Sequence, residues 1–293
     1  MKVVLTGATG FIGSHVLADL YKHGHEVTAL VRDDTQAAAV AARGATPAVV
    51  DLYDRAAVAR LLGQADGAIH TASPGDGTSA NLDSVVVDAV IDAFAGTGQP
   101  YLQISGLWIY GSNRSITEAS AFHAPALVSW KEPIERRVLG APGLRGVVIV
   151  SSVAYGDGGG GIPGLLLGSP RDDAGNLIML GTGQQHWSTV HVADLADFFR
   201  RVLEEDAARG RYVVGNGVNP TVTELTEAAA VAVGAPGAVP GSDDEARGRL
   251  GDYFAEVLLL DQGTDAARAR AELGWYPSHP SLSDEFRHGS YRK

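Results

Sequence analysis

Short apolar runs alternate with stretches of helical period along most of the chain. Met1 to Leu5 is too short for a helix and suits a buried parallel strand. From Phe11 the period changes, with Phe11, Ile12, Val16, Leu17 and Leu20 at helical spacing. Glu26 to Val31, Thr46 to Val50, Gly67 to Ser73, Pro100 to Ser105 and Leu144 to Val150 repeat the strand pattern. Between them, Tyr53 to Leu62 is helical with Ala57, Val58, Leu61 and Leu62 on one face. Leu82 to Phe94 is a stronger helix, its stripe built from Leu82, Val85, Val86, Ala89, Val90 and Ala93. Further on, Arg211 to Val214 reads as a returning strand, and Thr223 onward and Ala266 to Leu273 as helices. Strands separated by crossover helices predict an α/β protein with a parallel sheet.

The first strand-to-helix junction carries three glycines, at 7, 10 and 13. Strand, glycine turn and helix form the context of a dinucleotide fingerprint. Gly7 can make the tight turn, Gly10 lets backbone approach a pyrophosphate, and Gly13 allows close helix–strand packing. The helix start supplies N–H groups and the positive end of its dipole. Gly7, Thr9, Gly10, Phe11, Ile12 and Gly13 are therefore the expected cofactor-binding corner.

The spacing is Gly-x-x-Gly-x-x-Gly, and Thr6-Gly7-Ala8-Thr9-Gly10-Phe11-Ile12-Gly13 closely resembles the opening of the extended and atypical short-chain dehydrogenases/reductases. That superfamily includes sugar-nucleotide epimerases and dehydratases, dihydroflavonol-type reductases and NmrA-like proteins. The resemblance implies a Rossmann-type doubly wound parallel sheet with a small C-terminal α/β substrate lobe.

Composition narrows the function further. The 293 residues carry a net charge of -11, which argues against a general nucleic-acid binder. With no cysteine, disulfides, thiol catalysis and cysteine metal sites are excluded. No metal site is expected. Apolar residues reach 45%, enough for a substantial core, yet no signal peptide or spanning segment is apparent. A cytoplasmic protein is the expectation, and abundant Ala, Gly, Val and Arg suggest a high-GC bacterial genome.

The end of the second strand bears on the cofactor, because an acidic residue there suits a ribose hydroxyl and a basic one a 2′-phosphate. The order Leu30-Val31-Arg32-Asp33-Asp34 puts Arg32 first, and Ala29-Leu30-Val31-Arg32 resembles NADP-preferring relatives. NADP is favoured over NAD. By the same resemblance, Asp51 and Leu52 lie beside the adenine, and Thr71, Ala72 and Ser73 let the cofactor lie across the fourth strand end. His70 is expected to pack at that strand end rather than to do chemistry.

The family's catalytic signature follows the fifth strand: Ser-Ser/Thr-x-x-x-Tyr-Gly, a Thr-Glu pair, then Tyr-x-x-x-Lys. Tyr is the general acid/base, Lys lowers its pKa and binds the nicotinamide ribose, and Ser/Thr orients the substrate oxygen. Ser105-Gly106-Leu107-Trp108-Ile109-Tyr110-Gly111, Thr117-Glu118 and Lys131 match these landmarks. Leu127, however, stands where the Tyr belongs, and Gly106 where the Ser or Thr belongs. A leucine cannot exchange a proton. Lys131, Tyr110 and Ser105 remain as candidate catalytic residues, although strand alternation points Ser105 to the other face. His123, Tyr155 and His186 are further candidates for the proton donor. Ser129 and Glu132 read as a capping box ahead of the helix that carries Lys131.

In the second half, Ser151-Ser152-Val153-Ala154-Tyr155-Gly156 resembles the family turn that borders nicotinamide and substrate, without its Arg-Pro. Ser152 is taken as lining the cofactor; Trp108, His123, Tyr155 and Trp187 are taken as meeting substrate. Four successive glycines, at 158–161, read as a mobile loop at the substrate mouth, with an ordinary connector as the alternative. His191-Val192-Ala193-Asp194 and Leu273-Gly274-Trp275-Tyr276-Pro277 resemble structural segments of extended members. The expected division is a dinucleotide-binding domain over 1–155, with a return segment at about 186–214, and a substrate lobe from 156–185 and 215–293. Substrate is expected between the lobes, and a homodimer through the helices at 82–94 and 130–139. Three functions are open: an NADP-dependent oxidoreductase transferring hydride to or from a small-molecule carbonyl or hydroxyl carbon, a sugar-nucleotide epimerase or dehydratase, and a non-catalytic NAD(P)-sensing NmrA-like protein.

Overall fold

The computed structural model describes residues 1–292. In chain order come β1 (Lys2–Thr6), α1 (Phe11–Lys22), β2 (Glu26–Val31), α2 (Asp34–Ala41), β3 (Thr46–Val49), α3 (Arg55–Leu62), β4 (Gly67–His70), α4 (Ser79–Phe94) and β5 (Pro100–Gly106). A turn of 3-10 helix (Leu107–Tyr110), α5 (Lys131–Gly140), β6 (Arg145–Ser151), β7 (Val153–Tyr155), α6 (Gly161–Leu167), β8 (Leu177–Ile178), β9 (Thr189–His191), α7 (Val192–Glu204) and β10 (Gly210–Val214) follow. The chain closes with α8 (Val222–Ala232), β11 (Ala238–Val239), α9 (Asp243–Leu250), α10 (Asp252–Leu258), α11 (Ala267–Leu273) and α12 (Leu282–His288).

Seven strands form one sheet in the order β10-β6-β5-β4-β1-β2-β3. β1 pairs in parallel with β2 and with β4, β2 with β3, and β4 with β5. This is the doubly wound, Rossmann-type arrangement. Val3, Val4 and Leu5 of β1 are buried on both faces, as a central parallel strand requires. The strand order reverses at β1, and ligands in such sheets bind outside the carboxyl ends at that switch point.

Two compact units divide the chain. One comprises Met1–Ser105, Trp130–Val150 and Leu195–Tyr212; the other Gly106–Ser129, Ser151–Asp194 and Val213–Lys293. In the first, Val16, Leu17 and Leu20 of α1 are buried, and so are Leu82, Val86, Ala89 and Val90 of α4. Buried Arg145 donates to the carbonyls of Val202 and Leu203 in the last turn of α7 and of Glu205 and Ala208 just beyond it, so its guanidinium ties up the helix end. In the second, the core gathers Tyr155, Leu166, Leu177, Trp187, Leu225 and Phe286 among others. Among the described residues, no helix is long and apolar enough to cross a membrane.

Two local expectations are corrected. The capping box at the start of α5 does not form. Trp130, the residue before the helix, already has helical backbone angles, so there is no extended cap from which Ser129 could reach forward. Ser129 Oγ instead donates back to the Ala126 carbonyl, and Glu132 pairs with Arg136. The four-glycine run is not a mobile loop. Gly159 N donates to the Gly156 carbonyl, Tyr291 Oη accepts from Gly156 N and donates to the Gly159 carbonyl, and Gly158 N donates to Ser290 Oγ. The run is pinned by the C-terminal segment and then continues into α6.

Candidate functional site

The glycine corner is shaped by close backbone approach. Gly7 has φ +73°, and a Cβ there would lie 2.6 Å from Ala72 N. A Cβ on Gly13 would meet the Gly7 carbonyl oxygen at 2.1 Å, so the first turn of α1 rests directly on the β1 exit. Gly10 N closes the turn on the Gly7 carbonyl at 2.9 Å. Gly10 is also the N-cap of α1, with no side-chain cap and no acidic residue in the first turn. The first-turn N–H groups that a Ser or Asp cap would claim are thus left to an anion. Thr9 and Gly10 are exposed, and Phe11 and Ile12 half-buried. This corner fits a dinucleotide diphosphate.

At the end of β2 the two charged residues have different surroundings. Asp33 is the N-cap of α2 and accepts from Gln36 N at 2.8 Å. Arg32 is exposed, and only its backbone N–H is engaged by Gln36 Oε1, at 3.2 Å. After β3, Asp51 is exposed and accepts from Tyr53 N at 3.0 Å, while Leu52 is half-buried. After β4, Thr71 Oγ1 donates to the Thr6 carbonyl at 2.8 Å and Ala72 N to Thr6 Oγ1 at 3.3 Å, which clamps this exit to the β1 exit. Ser73 follows, exposed, its hydroxyl 3.4 Å from that of Ser79.

Beneath this corner lies a buried polar cluster that the sequence reading missed. His70 Nδ1 lies 2.6 Å from Thr6 Oγ1 and Nε2 lies 3.1 Å from Asp83 Oδ1. Gln103 Nε2 donates to Asp83 Oδ2 at 3.1 Å, and Lys131 Nζ lies 3.6 Å from the same oxygen. Burial pushes the Asp83 carboxyl up, but the His70 hydrogen bond, the charges of His70 and Lys131 and the Gln103 amide outweigh it and hold the group below its ordinary value. A signal was available. Asp83 sits on the same helical arc as Val86, Val87, Val90 and Phe94, all buried, where a carboxylate needs donors. Ser105 shares its side of β5 with Gln103 by strand alternation and is buried. Lys131 opens α5, its ammonium 4.3 Å from the centre of the Trp130 ring.

In the second unit, Gly106 is extended, and a Cβ there would have nothing nearer than the Ser151 carbonyl at 4.0 Å. Packing does not demand glycine at this position. Leu127 is 38% exposed. Tyr110 is buried and stacks on Phe122 at 5.4 Å, which suits a structural role. Trp108 is half-buried, edge-on to Phe254. His123 is exposed and its N–H holds the Ile109 carbonyl. Glu118 of the Thr-Glu pair accepts from Val213 N.

Two of the residues taken as meeting substrate lie inside the fold of the second unit. Trp187 is buried, packs in the core of this unit and donates its indole N–H to the Leu258 carbonyl at 3.0 Å. Tyr155 is fully buried, donates to the Pro280 carbonyl at 2.7 Å and accepts from Asn216. Burial raises its pKa, which further disfavours proton transfer. Both aromatic rings serve packing, with their polar ends satisfied inside the fold. Ser152 is buried too, its hydroxyl donating to Ser188 Oγ at 2.8 Å. His186 is held by Asp261, 2.9 Å from its Nδ1. Asp194 accepts from Ser278 N, His279 N and His279 Nδ1, and Trp275 donates to its carbonyl, so it anchors the Leu273–Pro277 segment.

Comparison with known proteins agrees with this geometry. Residues 7–139 match the NAD(P)H-binding family. An uncharacterised protein of Schizosaccharomyces pombe is 28% identical over 99% of this chain and 100% of its own length. The 3-diazoavenalumate denitrifying reductase of a Streptomyces species is 28% identical over 97% of this chain and 98% of its own. The fold matches human epimerase family protein SDR39U1, solved with NADPH, at TM-score 0.76 and 21% identity over 99% of both chains. Residues 7–139 thus carry an NAD(P)H-binding domain, and over nearly its whole length the chain is similar to proteins named as a reductase and as an epimerase family member.

Proposed function

We propose that this protein is an NADP(H)-dependent oxidoreductase that transfers hydride between the nicotinamide and a carbonyl or hydroxyl carbon of a small molecule, without a tyrosine acid/base. The observation that carries the cofactor choice is the end of β2. Asp33 is committed to the α2 cap, while the Arg32 guanidinium is exposed and suited to a 2′-phosphate. When bound, the dinucleotide supplies the hydride. The α1 amides hold its diphosphate, Thr71 and Ala72 border its path across β4, and Lys131 holds its nicotinamide ribose. Leu127 carries no exchangeable proton, so the proton that balances hydride addition comes from solvent or from the substrate itself.

Calorimetric titration with NADPH and NADH tests the cofactor, and NADPH oxidation across a panel of small carbonyl compounds tests turnover. Failure to bind either nucleotide removes the proposal. Binding without oxidation of NADPH by any compound would support a second reading, a dinucleotide sensor without turnover. The absence of both a phenol at Leu127 and a hydroxyl at Gly106 favours that reading. Co-purification with NAD would instead favour an epimerase or dehydratase.

A further inference from the structure

We propose that Asp83 is a positioning residue. It aims the Lys131 ammonium at the nicotinamide ribose and ties it to the phosphate-binding corner through His70 and Thr6. The inference rests on the dinucleotide reading above.

Asp83 is 3% exposed, and a carboxylate buried this deeply is retained only with donors on its oxygens. Its partners come from three different elements: hydrogen bonds from His70 at the end of β4 and Gln103 on β5, and an ion pair with Lys131 at the start of α5. Each is itself oriented. Tyr101 donates to Gln103 Oε1 at 3.5 Å, which turns the amide nitrogen toward Asp83. His70 is fixed by the Thr6 hydroxyl. Ala72 N donates to Thr6 Oγ1, whose hydroxyl contacts His70 Nδ1, and the ring turns its Nε2–H toward Asp83. One continuous path of hydrogen bonds and an ion pair therefore runs from the backbone beside Gly7 to the Lys131 ammonium.

Lys131 is the free end of this path. Its side chain is 20% exposed, against 4% for that of Asp83, so the ammonium reaches the surface while its counter-ion does not. Where relatives place a phenol for this lysine to act on, the chain has Leu127. Asp83 is then the group that gives the ammonium a direction. A rigid, ion-paired cation loses less freedom on meeting a ribose than a solvated one would.

The test compares two ligands that share the adenosine half but not the nicotinamide half: NADP⁺ and 2′,5′-ADP. The wild type is expected to bind both. Lys131→Met and Asp83→Asn are each expected to weaken NADP⁺ by about tenfold, the scale of one lost charge-assisted contact. The double variant is expected to be no weaker than either single one, and 2′,5′-ADP binding to stay unchanged throughout. A merely structural Asp83 would weaken both ligands, and an independent one would give additive losses; either result overturns the proposal, as does unchanged NADP⁺ affinity in Asp83→Asn. A wild type that binds neither ligand would instead defeat the dinucleotide reading itself. Should Asp83→Asn fail to fold, the wild type still decides. Its Nζ-labelled Lys131 is expected to give a slowly exchanging ammonium signal, missing from Lys131→Met, and a signal averaged with solvent overturns the proposal.

Discussion

A methyl group on Gly13 would lie 2.1 Å from the carbonyl oxygen of Gly7, whereas one on Gly10 would lie 3.3 Å from the same atom. The two glycines of one motif therefore serve different ends. Gly13→Ala is expected to cost about 1–3 kcal/mol by overpacking and to lower the unfolding midpoint. Gly10 is exposed, and its φ of -79° is open to any residue. Gly10→Ala is expected to leave thermal unfolding unchanged but to weaken NADP(H) binding by about tenfold or more, because its methyl stands in the path of the diphosphate. Equal loss of stability in both variants would contradict this division.

Arg32→Asp separates the two nicotinamide cofactors. A charge-assisted contact to a 2′-phosphate is worth about 1.5–3 kcal/mol, so the NADP/NAD affinity ratio is expected to fall by about tenfold or more. Asp33 stays on its helix cap, so the fold is unaffected. A ratio unchanged by calorimetry would sink the assignment of Arg32.

The missing catalytic groups can be restored. Open space at Gly106 and the exposure of Leu127 make Gly106→Ser with Leu127→Tyr sterically tolerable. General acid–base catalysis contributes about 10²–10⁴-fold. The double variant is expected to raise carbonyl reduction by NADPH by at least about tenfold over the wild type. No gain in a folded, cofactor-binding variant would mean that the proton was never the limiting deficit.

His191 gives the protein an acid-sensitive element. It is buried and stacks on His279 at 4.2 Å, with Tyr155 edge-on. Burial, and then the charge of a protonated His279, hold its pKa below the ordinary value, against a pull from Asp194, Asp157 and Glu285. A histidine whose folded pKa is depressed binds its proton more readily when unfolded. Its share of stability is whole above about pH 6.5 and drains away as pH falls through the lower folded value. The unfolding midpoint should drop from neutrality toward pH 5 more steeply in the wild type than in His191→Gln. Parallel curves would remove His191 as the cause.

Where the chemistry resides in backbone shape, as at Gly7, Gly10 and Gly13, the sequence was legible. Glycine spacing between a strand and a helix leaves few alternatives, and the seven-stranded sheet follows from the apolar runs. Side-chain direction was harder. Trp187 and Tyr155 are both taken from the sequence as meeting substrate, yet their polar ends bond to Leu258 and Pro280, residues far along the chain. Sequence distance hides such partners. Asp83 is masked by the valines of the apolar α4 stripe, although an acid on the same arc is the more informative residue. The Ser129 cap failed because a motif specifies residue types and not the backbone angles of the residue between them.

The bond from Tyr291 to the glycine run reaches across 132 positions of sequence. The phenol is a brace, and burial lifts its pKa to about 12, so it keeps its hydrogen at any physiological pH. Losing Tyr291 would therefore unlock a stretch of backbone that has no side chains of its own to hold it, far away in sequence though in contact in space.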